Sequence, residues 1–209
     1  MDETPCYMDM SSDTTLDFIG NKNVDGVNTG HDKSRFTVVL CICADGRIIN
    51  TMIILKGLVN VPRVDVPANI RLYASKGGSM NEKLMQDWVR SVFCSRGPYL
   101  ATEASLLLMD CHQSHQMEPV IQLLKSYNVK TKMIPPKTTS YLQPLDVTGG
   151  PNKKFKQCMR QQWEHWMHHT EPEYTPAGNR RRPSYQHLVD MVSRAVEGIT
   201  ADTIKQACI

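Results

Sequence analysis

Two aspartates carry the chemistry that this sequence offers most directly. Asp110 closes the apolar run Ala-Ser-Leu-Leu-Leu-Met at 104–109, and Asp146 lies in Tyr-Leu-Gln-Pro-Leu-Asp-Val at 141–147. In open α/β sheets, ligand-binding groups gather at the carboxyl ends of strands. A carboxylate buried there without a partner is costly, so it calls for a backbone N–H, a basic side chain or a cation. Capping of the next helix would answer that need as well. Asp146 is followed closely by Lys153, Lys154, Lys156 and Arg160. That pairing suits phosphate chemistry, with the acid holding a cation and the bases holding a nucleic-acid backbone. A surface salt-bridge network is the plainer alternative. Asp2, beside Glu3, is a third carboxylate, at a chain end of the kind that ordinarily frays. Clustered carboxylates that hold two oxygen-binding cations can activate water and stabilise the leaving oxygen of an in-line phosphoryl displacement. Mg²⁺ keeps several of its waters, so three Asp residues suffice.

Other residues invite chemistry less strongly. Cys111, His112 and His115 suggest zinc, but Cys-His-x-x-His is not a standard ligand spacing and no second pair lies nearby in sequence. Cys41 and Cys43 fall on one face of an expected strand and read as sheet residues. The seven cysteines include no Cys-x-x-Cys pair, which favours reduced, buried thiols. Trp163 and Trp166 could stack on bases, but their spacing of three on a helix favours the core. Arg180, Arg181 and Arg182 form a basic cluster that suits phosphate contact, a weak nuclear signal, or plain solvation.

The elements that must position these residues are legible from period and punctuation. Residues 36–43 and 48–55 are β-branched and apolar around Ala44-Asp45-Gly46-Arg47, which predicts an antiparallel hairpin. Leu84, Met85, Trp88, Val89, Val92 and Phe93 share a helical face over 81–95, with Asn81 as its cap and Gly97-Pro98 as its stop. The run 104–109 reads as a strand buried on both faces. A helix with Pro119 in its first turn follows, then a strand at 129–134 closed by Pro135-Pro136. Helices are expected at 152–168 and from about Ser184 to Val196, with a mobile loop at 170–183 between them. The fold class implied is α/β, a mixed sheet with flanking helices.

Length and composition fit one ordinary domain spanning 1–209, with 41% hydrophobic and 22% charged residues. No apolar run approaches the roughly 18 residues needed to span a bilayer, so no membrane partner is expected. The acidic, polar start lacks the features of a secretory signal, and the expected setting is intracellular. The net charge of +3 is unevenly spread. Residues 1–30 hold six acids against one lysine, whereas residues 120–182 hold eleven Lys or Arg against four acids. Such polarity suits a protein that turns one side to an anionic partner.

Three segments together resemble one family. The first is Met-Asp-Glu-Thr-Pro at 1–5, with Thr-Gly-His-Asp-Lys-Ser-Arg-Phe-Thr-Val at 29–38 and Ala-Asp-Gly at 44–46. The second is Leu-Leu-Leu-Met-Asp at 106–110 with Ser114-His115 after it. The third is Ile-Pro-Pro-Lys-Thr-Thr-Ser at 134–140, running to Leu-Gln-Pro-Leu-Asp-Val at 142–147. These are similar to the DDE superfamily endonuclease domain of pogo, Tigger and jerky transposases and of centromere protein B relatives. Residues 199–204 are similar to that family's closing helix.

The resemblance implies a ribonuclease-H-like fold in which Asp2, Asp110 and Asp146 bind two Mg²⁺ (or Mn²⁺) ions for DNA strand cleavage and transfer. It also implies a DNA partner held by Lys137, Lys153, Lys154, Lys156 and Arg160, a nuclear location, and room for a homodimer. A domesticated, non-catalytic DNA-binding or chromatin-associated domain is the alternative. Four departures from the family pattern bear on the site. The first strand is expected to be truncated, and nearly absent, at its N-terminus, leaving Asp2 little support. Gly149-Gly150-Pro151 is expected to loosen the entry to the basic helix. No helix-turn-helix module is expected within 1–209. Gly77-Gly78-Ser79 stands where relatives often carry a bulky aromatic.

Overall fold

The computed structural model describes residues 1–10, 29–31, 33–94 and 103–209. The Gly97-Pro98 helix stop and part of the acidic N-terminal stretch lie outside the described residues.

Strands β1 (Asp2–Tyr7), β2 (Arg35–Leu40), β3 (Thr51–Lys56) and β4 (Ile70–Ser75) form a sheet in that order. The first two pairings are antiparallel and the third is parallel. Strands β5 (Ser105–Asp110) and β6 (Val129–Ile134) form a separate parallel pair. The expected hairpin is β2–β3, with Phe36 opposite Leu55 and an extra bridge between Ile42 and Ile48 next to the Asp45-Gly46 turn.

Helices cover both faces of the larger sheet because its central strands are apolar on both sides. Phe36, Val38, Leu40, Ile53 and Leu55 pack against α4 (Pro151–His169) and α5 (Tyr185–Glu197). Val39, Met52 and Ile54 pack on the other face against α1 (Glu82–Trp88), β5 and α2 (Glu118–Ser126). Asn81 caps α1 by accepting from the Leu84 N–H at 3.0 Å. The helix continues into a π-type turn at Val89–Phe93, which keeps Val92 and Phe93 in the core and stacks Phe93 on Trp88. Trp163 and Trp166 are buried, in keeping with their helical spacing. A short helix α3 (Thr139–Leu142) and a closing helix α6 (Ala201–Ala207), capped by Thr200, complete the chain.

Three expectations need correction. The first strand is not nearly absent: β1 pairs with β2 over all six of its residues, from Asp2 opposite Leu40 to Tyr7 opposite Arg35. The strand develops downstream of Asp2, where Asp2, Thr4 and Cys6 alternate inward. Among the described residues the mixed sheet has four strands, and β5 and β6 pair apart from it. The start of β1 meets β5 through one hydrogen bond, from the Met1 ammonium to the Leu108 carbonyl at 2.8 Å. In consequence β5 is not buried on both faces: Leu107 and Met109 are in the core, while Leu106 is 63% exposed. Finally, the loop 170–183 is tied down. It carries a Tyr174–Arg180 bridge, and the Arg180 guanidinium donates to the Met167 and Thr170 carbonyls while lying over the Trp166 ring.

The turn before α1 makes a close approach that explains Gly78. Its φ is +72°, and an added Cβ would sit 2.4 Å from Lys56 Cβ. Its carbonyl accepts from Thr37 Oγ1 at 2.6 Å. A bulky aromatic has no room there. Gly78→Ala is expected to destabilise the fold by about 1–3 kcal/mol, combining left-handed strain with a clash against β3. Urea unfolding of both proteins checks this, and an unchanged midpoint would show that the turn relaxes freely.

Candidate functional site

The site begins with a single amide. Asn152, on the first turn of α4, is 5% exposed, and its Nδ2 donates to Asp2 Oδ2 at 2.5 Å and to Asp146 Oδ1 at 2.8 Å. Two carboxylates far apart in sequence thus meet at one side chain. Asp2 is placed by its register on β2, and Asp146 by a turn in which its N–H donates to the Gln143 carbonyl.

The entry to α4 is tight rather than loosened. Gly149 takes φ +80°, Gly150 donates to the Val147 carbonyl at 2.7 Å, and Pro151 opens the helix, where its missing N–H costs nothing. A Cβ on Gly150 would lie 2.8 Å from the Val147 oxygen. The Asn152 N–H donates back to the Leu145 carbonyl, which locks the Asp146 turn onto the helix.

Burial raises the Asp2 pKa, and the Asp146 charge raises it further, against the lowering effect of Asn152. The Gln143 amide also favours the Asp2 carboxylate from close by, yet neither its nitrogen nor its oxygen is in hydrogen-bond geometry with any group. Asn152 Oδ1 is likewise buried without a partner. The two carboxylates, with an unpartnered amide oxygen on each of Gln143 and Asn152, supply oxygen donors of the kind a hydrated hard cation such as Mg²⁺ takes.

Asp110 is held differently. Its Oδ1 accepts from His115 Nδ1 at 2.7 Å and from the His112 N–H at 3.1 Å. These contacts, the His115 bond first, hold its pKa below the usual carboxylate value despite partial burial. His115 is 1% exposed, and its Nε2 faces Glu3 Oε1 at 3.2 Å. Burial favours the neutral imidazole, but the bonds and charges of Asp110 and Glu3 outweigh it and push the pKa up to about 9. Asp110 therefore reaches β1 through His115 and Glu3. Asp2 and Asp146 are brought together by Asn152, whereas Asp110 is held by His115 and the His112 N–H.

Lys153, Lys156 and Arg160 lie on the exposed side of α4, and Lys154 is half-buried. Phe155, Met159 and Trp163 hold the opposite side in the core. Lys137 is exposed in the loop after β6, with φ +66°. Sequence reasoning missed Asn152, Gln143 and Glu3. Asn152 sits at the head of the basic helix, a position that could have been noticed. The role of Glu3 had no local signal, because its partner His115 is 112 residues away.

The His115 clamp has a definite pH signature. A folded pKa of about 9, above the ordinary 6.5, means that its stabilisation is complete below about pH 6.5 and is lost as pH rises through about 9. His115→Asn is expected to cost about 1–3 kcal/mol near neutral pH, with the difference shrinking above about pH 9. Denaturant unfolding across that range measures it. A pH-independent difference would exclude the ion-pair clamp.

Comparison with known proteins bears on this arrangement. A family model described as "DDE superfamily endonuclease" matches residues 33–208, a span that includes Asp110, Asp146 and Asn152. A human protein named "Pogo transposable element with KRAB domain" is 30% identical over 205 residues, which is 98% of this chain and 33% of that protein. Its mouse counterpart is 29% identical with the same coverage. A human "Pogo transposable element with ZNF domain" is 28% identical over 127 residues, which is 61% of this chain and 9% of that protein. The chain thus spans 33% of the length of the first two relatives. No solved structure matches. With its match running through nearly all of the folded core, the chain belongs to the DDE superfamily endonuclease family.

Proposed function

We propose that this chain binds DNA along α4 and cleaves its phosphodiester backbone with divalent cations, Mg²⁺ or Mn²⁺, held by Asp2, Asp146 and Asp110. The observation that carries the reading is the Asp2–Asn152–Asp146 junction at the head of a helix whose outer side is basic. A cation there would offset both the burial and the Asp146 repulsion that raise the Asp2 pKa. When bound, paired ions supply an activated water and stabilise the leaving oxygen. Asn152 orients the two carboxylates, and Lys153, Lys156, Arg160 and Lys137 hold phosphates. The order of strands and the flanking helices support a ribonuclease-H-like arrangement, in which the β1 start and the β5 end stand side by side at the Met1–Leu108 contact. A DNA partner supports a nuclear location, and self-association into a homodimer is compatible with this reading.

One observation favours a non-catalytic DNA-binding domain instead. The Asp110 carboxylate is occupied by His115 and the His112 N–H, and it must leave the imidazole to join the other two. The two readings part on metal dependence.

Supercoiled DNA incubated with the protein and Mg²⁺ or Mn²⁺ is expected to be nicked, and Asp110→Ala and Asp146→Ala are expected to reduce nicking to background while still binding DNA. Equal nicking by all three proteins, or none by the parent, would sink the enzyme reading. Lys153→Ala and Lys156→Ala are each expected to weaken DNA binding and to lower the slope of log affinity against log salt by about 1. Unaltered slopes would remove α4 from the DNA face.

A further inference from the structure

We infer that Glu3, His112 and His115 form a second metal site, distinct in chemistry from the aspartate pair and suited to Zn²⁺ or a similar borderline transition-metal ion. One ligand atom from each residue lies within 4.8 Å of the others. The donors come from two places in the fold, the second residue of β1 and the loop after β5, so no sequence spacing reveals them. The zinc pattern that the sequence does suggest uses the wrong third residue. Cys111 turns away, its Sγ donating to the Ile134 carbonyl at 3.1 Å, and Glu3 takes its place.

The outer contacts of the two imidazoles give independent support. A metal-bound histidine characteristically engages its other ring nitrogen with a carboxylate, hydroxyl or carbonyl, which fixes the tautomer and ring direction. Here His115 Nδ1 is held by Asp110 Oδ1 at 2.7 Å, and His112 Nδ1 by Ser114 Oγ at 2.7 Å. Both Nε2 atoms are thereby left as the ligating nitrogens. His115 Nε2 already lies 3.2 Å from Glu3 Oε1. Ligands on a tetrahedral ion with bonds of about 2.0–2.1 Å stand about 3.3 Å apart, so this pair needs almost no movement. His112 is exposed, and its ligand nitrogen lies within 4.8 Å of the other two ligand atoms. The ion would replace the Nε2 proton that His115 now gives to Glu3, and the nearby Glu3 and Asp110 carboxylates balance the added charge.

Two imidazoles and one carboxylate favour Zn²⁺ over Mg²⁺, which prefers oxygen and water. The location gives the ion a structural role. Glu3 belongs to the four-stranded sheet, the two histidines follow the two-stranded one, and the start of β1 meets β5 through a single backbone hydrogen bond. A bound ion would staple that seam. It would also hold His115 in place while Asp110 accepts from it. None of this depends on whether the protein cuts DNA.

Cobalt titration of the full chain tests the site, with Co²⁺ as a coloured substitute for Zn²⁺. One equivalent of Co²⁺ is expected to give ligand-field bands of a low-coordinate ion without a thiolate charge-transfer band, and Zn²⁺ is expected to bleach them. His112→Ala removes an exposed side chain, and Glu3→Gln keeps a hydrogen-bonding partner for His115, so both should fold as judged by circular dichroism. Each is expected to weaken Co²⁺ binding roughly tenfold or more. Asp146→Asn is expected to leave the bands unchanged. The proposal is overturned by absent bands, by a thiolate band, by bands that survive both ligand substitutions, or by bands that vanish with Asp146→Asn, which would place the ion at the aspartate pair.

Discussion

The burial of the Asp2 carboxylate beside the Asp146 charge is the constraint around which the neighbouring structure is arranged. Burial of Asp2 raises its pKa, and the charge of the exposed Asp146 beside it raises it further. One amide, Asn152 Nδ2, satisfies an oxygen on each. The arrangement works only if the first turn of α4 is fixed against the Asp146 turn. Gly149, Gly150 and Pro151 do that by closing the chain on itself so tightly that Gly150 has no room for a Cβ. A segment that looks like a flexible insertion in sequence is therefore a rigid bracket in the fold.

The neighbouring acids solve the same electrostatic problem by another route. Asp110 and Glu3 lie on either side of the buried His115, and an imidazolium between two carboxylates satisfies both. This contact does more than neutralise charge. It connects the end of β5 to β1 at a seam where the two sheets share little backbone pairing, so fold and site are joined through one ring. The same joint keeps Asp110 away from a direct approach to Asp2 and Asp146.

Most of the elements were legible in the sequence because their signals are local. The strand at 129–134 has the bounds of β6, Asn81 caps α1, and the alternation of β2 and β3 gives both faces of the larger sheet. What stayed hidden was relation. Leu106 to Met109 are all apolar, and composition alone cannot say that one sheet edge would leave Leu106 exposed. Asp110 and Asp146 stood out in the sequence as candidate carboxylates because each closes or follows an apolar run. That Asp146 would pair with Asp2 through an asparagine, and Asp110 with Glu3 through a histidine, depends on contacts that span over a hundred residues. Glu3 looked like part of a frayed acidic end, because a terminal residue's support is visible only once its strand is paired.

The division of donors at this end of the fold has a chemical consequence. On one side are two carboxylates bridged by the Asn152 amide nitrogen, a set whose charge suits a hard cation. On the other are two imidazoles and a glutamate, offering mostly nitrogen. Asp110 stands between them, and its bond to His115 gives it to the second group. Whatever stabilises the imidazole side in its present geometry keeps Asp110 there. Whatever draws Asp110 towards Asp2 and Asp146 must first break the 2.7 Å contact and leave His115 bonded to Glu3 alone. A cation at the aspartate pair that drew Asp110 over would, on the proposed function, be linked thermodynamically to the geometry of the histidine side.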